Sequence, residues 1–327
     1  MKPLLLTAIL SAVPMWCADT LNFEFIDVEG GQATLIVTPR GESMLIDAGW
    51  PGFDGRDANR IAAAAQKHGV KKIDWLIVTH FHTDHVGGLK QLAAKMPIVN
   101  LVDHGPSVET SPQAAALYKD YEEVAAKAKR VTVKVGDKLP VKGLTVEVVA
   151  ANGDLLSRKG AANSLCAGVE KKAEDKGENA RSVGVLMTFG KFRFLDLGDL
   201  TWNKELELAC PENRLGKIDV YLTTHHGMDM SGPAALVHAL SPKVAIMNNG
   251  EKKGGAPVAW KVVRAVPGLQ DLWQVHFAAA GGQENNTDEK MIANLLGSDQ
   301  GNSITMKAQS NGKFTVSNSR NGFAKSY

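Results

Sequence analysis

Only three cysteines occur in 327 residues, and no two form a Cys-x-x-Cys pair. That excludes a thioredoxin-like redox centre and a cysteine-built zinc knot. Beyond the first twenty residues no apolar run is long enough to cross a bilayer, so no membrane span is expected in the mature chain. Charge of one sign is also lacking. There are 37 basic and 35 acidic residues, a net of +2, which gives no concentrated basic face and no expectation of stable nucleic-acid binding. A Gly-x-Ser-x-Gly elbow, a phosphate-binding Walker loop, a dinucleotide fingerprint and a repeat of fixed period are missing too, which removes the usual competing chemistries.

What is present is an ordinary globular composition, 44% hydrophobic and 22% charged, in a chain long enough to bury a large core. Lys2 followed by the apolar stretch Leu4 to Val13, then Pro14 and Asp19, reads as a signal peptide over residues 1–18. The mature chain, 19–327, is then expected to be one domain, periplasmic or secreted. In that compartment Cys166 and Cys210 could pair, but spacing alone does not show that they meet.

Strand-like text opens the mature chain at Leu21 to Ile26, Ala33 to Thr38 and Met44 to Ile46, the last running into Asp47-Ala48-Gly49. A helix fits Ala58 to His68, with Asp57 as cap and Gly69 as stop. Ile73 to Thr79 is a short apolar strand that ends at His80, and Val86 to Lys95 reads as the next helix. Ile98 to Val102 leads to Asp103-His104-Gly105, and Ser111-Pro112 starts a helix to about Arg130. Later strands are expected at Val131 to Val135, Leu144 to Ala150, Val183 to Phe189, Phe192 to Leu197 and Asp219 to Thr224, with a last hairpin over Asn311-Gly312. Between Asn152 and Arg181 a Gly-, Lys- and Glu-rich stretch reads as a long loop near the site mouth. The repeated theme of strand, polar cluster and helix gives an α/β protein with an αββα sandwich.

The decisive text is Thr79-His80-Phe81-His82-Thr83-Asp84-His85-Val86-Gly87-Gly88. Imidazole and carboxylate suit Zn²⁺ or a similar divalent ion, and four such side chains fall within six positions just after a buried strand. On a tight loop His80 and His82 can reach one ion, while Asp84 and His85 turn to a second.

This text resembles the metallo-β-lactamase superfamily signature His-x-His-x-Asp-His. The resemblance continues in family order through Phe25-Ile26-Asp27-Val28, Leu45-Ile46-Asp47-Ala48-Gly49, Asn179 with Ser182, Phe194-Leu195-Asp196-Leu197-Gly198-Asp199 and Thr224-His225-His226-Gly227. Within the superfamily it looks most like the soluble domain of ComEC/Rec2 competence proteins and their stand-alone relatives, although Glu29-Gly30-Gly31-Gln32 replaces their Gly-Gln-Gly-Asp. The resemblance implies two Zn²⁺ ions, with Mn or Fe as substitutes, and metal ligands His80, His82, Asp84, His85, Asp199 and His225. Asp199 would bridge the ions, and Asp47 would support the ligands from behind. His226, the alternative to His225 as ligand, is then a supporting group or the proton donor, acting with Asp84 and Asp199 in catalysis. A histidine usual after the strand Leu144 to Ala150 is missing, which leaves Asn152, His104 or neither as third ligand of the first metal. Ser231 and Asn179 are candidates to donate hydrogen bonds to a substrate oxyanion, and His276 is a candidate for lining the pocket. The implied activity is metal-assisted hydrolysis of a small-molecule phosphodiester or phosphoester. Opening of a lactone or β-lactam ring, and a non-catalytic metal-stabilised binding protein, are the alternatives.

Overall fold

The computed structural model describes residues 20–327, and the leader expected over 1–18 lies outside the described residues. Two nine-stranded sheets face each other. Between them lies an apolar layer to which both contribute, including Phe23 and Phe25 from the first sheet and Phe192 and Phe194 from the second. The Phe23 and Phe194 rings meet at 4.9 Å between centroids. Strands covered on both faces need apolar residues in both phases of the pleat. In Ile73–Ile77 and the residue after it, Trp75 and Ile77 enter the central layer, while Ile73, Leu76 and Val78 pack under the outer helices. The second sheet is covered likewise, with Leu195 and Leu197 outside and Phe192 and Phe194 inside. The architecture is therefore the αββα sandwich.

Topology brings the chemistry to one edge. Ser43–Ile46, Ile73–Ile77, Ile98–Asp103 and Lys129–Thr132 run parallel in the first sheet. Phe192–Asp196, Val220–Leu222, Val244–Met247 and Asp271–His276 run parallel in the second. Parallel strands aim their carboxyl ends the same way, where α/β sheets place ligands. Here those ends carry Asp47, His80, Asp199, His225 and His226.

Several elements differ from the sequence reading. The expected helix Val86 to Lys95 is two short ones, Thr83–Val86 and Leu89–Ala93. The break lies at Gly87-Gly88, where a Cβ on Gly88 would fall 2.1 Å from the Ala48 carbonyl oxygen. Gly88 N–H donates to Gly49 O at 2.9 Å and Ala48 N–H to His85 O at 2.7 Å, so two loops are laced together backbone to backbone. The helix expected to about Arg130 is Pro112–Ala125, followed by the strand Lys129–Thr132. Asp57 lies inside the first turn of Arg56–Lys67 and accepts from Trp50 N–H at 2.8 Å instead of capping. Among the described residues no helix is long and apolar enough to cross a membrane.

Cys166 and Cys210 form a disulfide, with Cα atoms 5.7 Å apart and a sequence separation of 44. Cross-linking a loop of that length restricts the unfolded chain by roughly 4 kcal/mol on the chain-entropy account. Cys166→Ser is therefore expected to lower the melting temperature by about 5–10 °C. Calorimetry of the variant beside the reduced wild type checks this, and equal melting of oxidised and reduced protein would contradict it.

Candidate metal centre

Asp84, His85, Asp199 and His226 each offer a ligand-type atom within 4.8 Å of the others, and all four are buried. His85 Nε2 lies 3.1 Å from Asp84 Oδ2 and 3.2 Å from Asp199 Oδ2. His226 Nε2 lies 3.2 Å from Asp84 Oδ2 and 3.4 Å from Asp199 Oδ1. The two imidazole Nε2 atoms face each other at 3.2 Å. Asp199 is the hub, since its Oδ2 is also 3.2 Å from His225 Nε2 and 3.8 Å from His80 Nε2.

Each ligand is set from behind. Asp47, buried at a φ of 61°, accepts from Thr79 N–H at 2.8 Å, from Thr79 Oγ1 at 2.7 Å and from His85 Nδ1 at 2.7 Å. Fixing Nδ1 on a carboxylate leaves His85 Nε2 turned toward the cluster, the orientation that metal-ligating histidines take. Asp199 N–H donates to Ser182 Oγ at 3.2 Å. Gly198 sits at a φ of 56° with Thr79 so close that a Cβ would fall 2.9 Å from Thr79 Cβ, which presses Asp199 against the His80–His85 loop.

The electrostatics couple the carboxylates to the imidazoles. Burial would raise Asp84 and Asp199, but the surrounding imidazoles outweigh it and hold both carboxyls well below their ordinary range. His85, although burial opposes its charge, is pushed well above its ordinary value by Asp199, Asp84 and Asp47. Asp199 Oδ1 is buried and has no hydrogen-bond partner. Oxygen and imidazole donors, convergent and short of positive charge, fit a borderline divalent ion.

His80 and His82 form a looser neighbouring set. His80 Nε2 lies 3.0 Å from His82 Nδ1, and His82 stands at the mouth, 3.7 Å from Glu109 Oε1. Burial, then the neighbouring His85, keep His80 well below its ordinary value.

The paired histidines take different places around Asp199. His226, expected as proton donor, lies in the four-residue cluster; His225, expected as ligand, touches Asp199 and, through Nδ1 at 3.3 Å, Ser231 Oγ. Both adopt left-handed backbone, with φ of 57° and 56°, so the strand end turns through two consecutive unusual residues. Neither alternative for the first metal's third ligand reaches the cluster. His104 donates to Glu178 Oε2 at 2.9 Å, and Asn152 is exposed and accepts from Arg181. Asn179 stands in a short turn before Ser182, Ser231 Oγ donates to Leu200 O at 2.8 Å, and His276 Nε2 donates to Asp27 Oδ1 at 2.6 Å.

Two residues without a sequence signal prove important. Glu178, at the end of the long loop, accepts from Phe81 N–H at 3.0 Å, Val108 N–H at 2.7 Å and His104, and these contacts override burial to hold it at about 2. Lys253 bonds Asp84 Oδ2. Each lies in a Gly- and Lys-rich stretch where nothing marks one charged residue from its neighbours.

Glu205, buried beneath the His225–Ser231 turn, accepts from Gly232 N–H at 2.5 Å and is pushed up to about 8 by burial. Its unfolded value is near 4.5, so the protonated native form adds stability below that pH, which is lost as pH rises toward 8. Glu205→Gln is expected to flatten the fall of melting temperature between pH 5 and 8; an unchanged slope would assign that fall elsewhere.

Residues 26–154 match the family model described as the metallo-beta-lactamase superfamily. That match spans 129 of the 327 residues, and the two-sheet sandwich agrees with the metallo-β-lactamase fold. It is 27% identical over 239 residues to Recombination protein 2 of Haemophilus influenzae, covering 72% of this chain and 24% of that protein. It is 36% identical over 110 residues to a metal-dependent hydrolase of Koribacter versatilis, covering 33% of this chain and 41% of that one. Among solved structures it is similar to the metallo-beta-lactamase fold protein YhfI from Bacillus subtilis, with a TM-score of 0.46 at 11% identity over 78% of this chain and 96% of that one. The chain covers less than half the length of either curated relative.

Proposed function

We propose that this chain is an exported, metal-dependent hydrolase of phosphodiesters or phosphoesters. The observation that carries the reading is the convergence of Asp84, His85, Asp199 and His226 within 4.8 Å, with Asp199 as hub. A carboxylate at the hub can serve two cations at once, as two-metal phosphoryl-transfer sites do. In this reading the four-residue cluster would hold the tighter ion, and His80 and His82 with Asp199 would hold a weaker one, Zn²⁺ being the first candidate. A divalent ion there supplies Lewis acidity, acidifying water and polarising the substrate's P=O or C=O oxygen. The similarity to a metal-dependent hydrolase supports the reaction type, and the Cys166–Cys210 disulfide supports an oxidising compartment.

The protein's own groups divide the remaining work. Asp47 and Thr79 fix His85, and Ser182 fixes Asp199. His225 is held down to about 4 by burial, against the pull of Asp199, so it is neutral near pH 7 and can take up a proton at Nε2. His226, inside the cluster, is no longer the proton donor in this reading.

Metal analysis of purified protein, followed by turnover of bis-p-nitrophenyl phosphate, a lactone and a cephalosporin reporter, tests the proposal. We expect one tightly and one weakly held divalent ion per chain, with phosphodiester turnover that chelation removes. Faster opening of the lactone or the cephalosporin would select the ring-opening alternative, and bound metal without turnover would select a binding protein.

A further inference from the structure

Lys253 is placed by an arrangement that serves no evident packing purpose. Its loop follows the strand Val244–Met247 and is squeezed between two backbones. A Cβ on Gly30 would fall 2.9 Å from Lys253 Cβ, one on Gly250 2.5 Å from the Glu29 carbonyl carbon, and one on Gly254 2.3 Å from His226 O. Gly250 N–H donates to Lys253 O at 2.8 Å and Gly255 N–H to His226 O at 2.9 Å, so the loop is tied directly to a cluster histidine. From that base the side chain passes over Trp50, with Nζ 5.2 Å from the ring centroid, and its ammonium bonds Asp84 Oδ2.

The same side chain also faces outward. Lys253 is 27% exposed and lines an open groove of 540 Å³ together with Phe53, Arg56, Lys252 and Glu29. The groove has three acids: Glu251 accepts from Gly297 N–H at 2.6 Å, Asp299 bonds Arg60, and Glu29 Oε1 lies 3.6 Å from His276 Nε2. Phe53 is 66% exposed and has the Arg56 guanidinium 4.5 Å from its ring centroid. An ammonium has three N–H donors and no acceptor, and Asp84 uses one of them. A fixed cation between a carboxylate cluster and an aromatic-lined groove is suited to an anionic substrate oxygen.

We propose that Lys253 is a substrate-binding residue that contacts a non-bridging phosphoryl oxygen, with the organic arm of a phosphodiester lying in the Phe53–Arg56 groove. This rests on the phosphoester reading and narrows it, because a neutral lactone offers no such charge. A charge-assisted hydrogen bond of this kind accounts for about 30-fold in affinity.

The test uses the metal-loaded full chain and the variants Lys253→Met, Lys253→Arg and Lys307→Met, with the metal content of each measured first. Inorganic phosphate binding is followed by calorimetry, and bis-p-nitrophenyl phosphate and p-nitrophenyl acetate turnover by absorbance. Lys253→Met is expected to weaken phosphate about 30-fold and to raise KM for the diester more than it lowers kcat. The diester-to-acetate selectivity should fall at least tenfold, Lys253→Arg should recover most of the loss, and Lys307→Met, an exposed lysine on the strand Ile304–Gln309 outside the groove, should bind phosphate like wild type. Unchanged phosphate affinity in Lys253→Met, or a loss that merely follows lost metal, overturns the assignment. Diester turnover with an unaltered KM in Lys253→Met refutes this contact alone. Phosphate binding through Lys253 without any phosphoester turnover refutes the proposed reaction and supports the contact.

Discussion

Asp199→Ala is expected to lower kcat/KM by roughly 10⁴-fold, the scale of losing one member of a catalytic set that acts as a unit. The carboxylate lies within 3.8 Å of imidazole nitrogens from His80, His85, His225 and His226, and its Oδ1 has no other partner. Deleting it removes a ligand from the four-residue cluster and from the looser His80 and His82 set at once. It also leaves His85, raised by three surrounding carboxylates, with two of them. Removing one partner from a buried charged network costs about 3–5 kcal/mol, so the metal-free variant should also melt earlier. Asp199→Asn separates the effects, because it keeps the shape and removes the charge. It should melt nearer to wild type yet bind metal poorly. Metal content and turnover measured on both variants decide the matter, and either variant retaining full turnover would contradict the hub assignment.

His226→Ala and His225→Ala form the second contrast. His226 Nε2 is within 3.4 Å of both Asp84 and Asp199, whereas His225 reaches Asp199 alone. His226→Ala should empty the tighter metal position and cost about 10³-fold in turnover, between the loss of a supporting residue and that of the hub. His225→Ala should keep that metal and lose about 10²-fold, the lower end for removal of a proton-transfer group. The pH profile adds a separate signature. His225 is held to about 4, so its deletion should remove an acid-side dependence near that pH and leave the remainder of the profile in place. Retained metal in His226→Ala with metal lost in His225→Ala would restore the order expected from sequence.

Much of the site was legible because its chemistry is concentrated in text. Four ligand-type side chains follow one apolar strand at His80 to His85, and Asp199 and His225-His226 end later strands that the sheet runs parallel. Burial on both faces makes such strands apolar throughout, which marked their ends clearly. The choice between His225 and His226 was not legible. It depends on two successive left-handed residues, and nothing in Thr-His-His-Gly announces them. His104 drew attention as a ligand type at a strand end, yet its partner is Glu178, 74 residues away in a stretch without periodicity. Lys253 was hidden for the same reason, since its contact with Asp84 spans 169 residues and depends on glycines whose role is close approach. The break at Gly87-Gly88 arises likewise from a distant backbone, that of Ala48. Local patterns specify strands and ligand types; contacts between remote loops decide which ligand faces which.

The most direct test is diffraction from crystals of the zinc-loaded protein, with anomalous scattering recorded at the zinc edge. The account predicts a strong peak in contact with Asp84, His85, Asp199 and His226, and a weaker one toward His80 and His82. A cation found instead at Asp27, Glu29 and His276, or bound with Asp199 turned away, would contradict it.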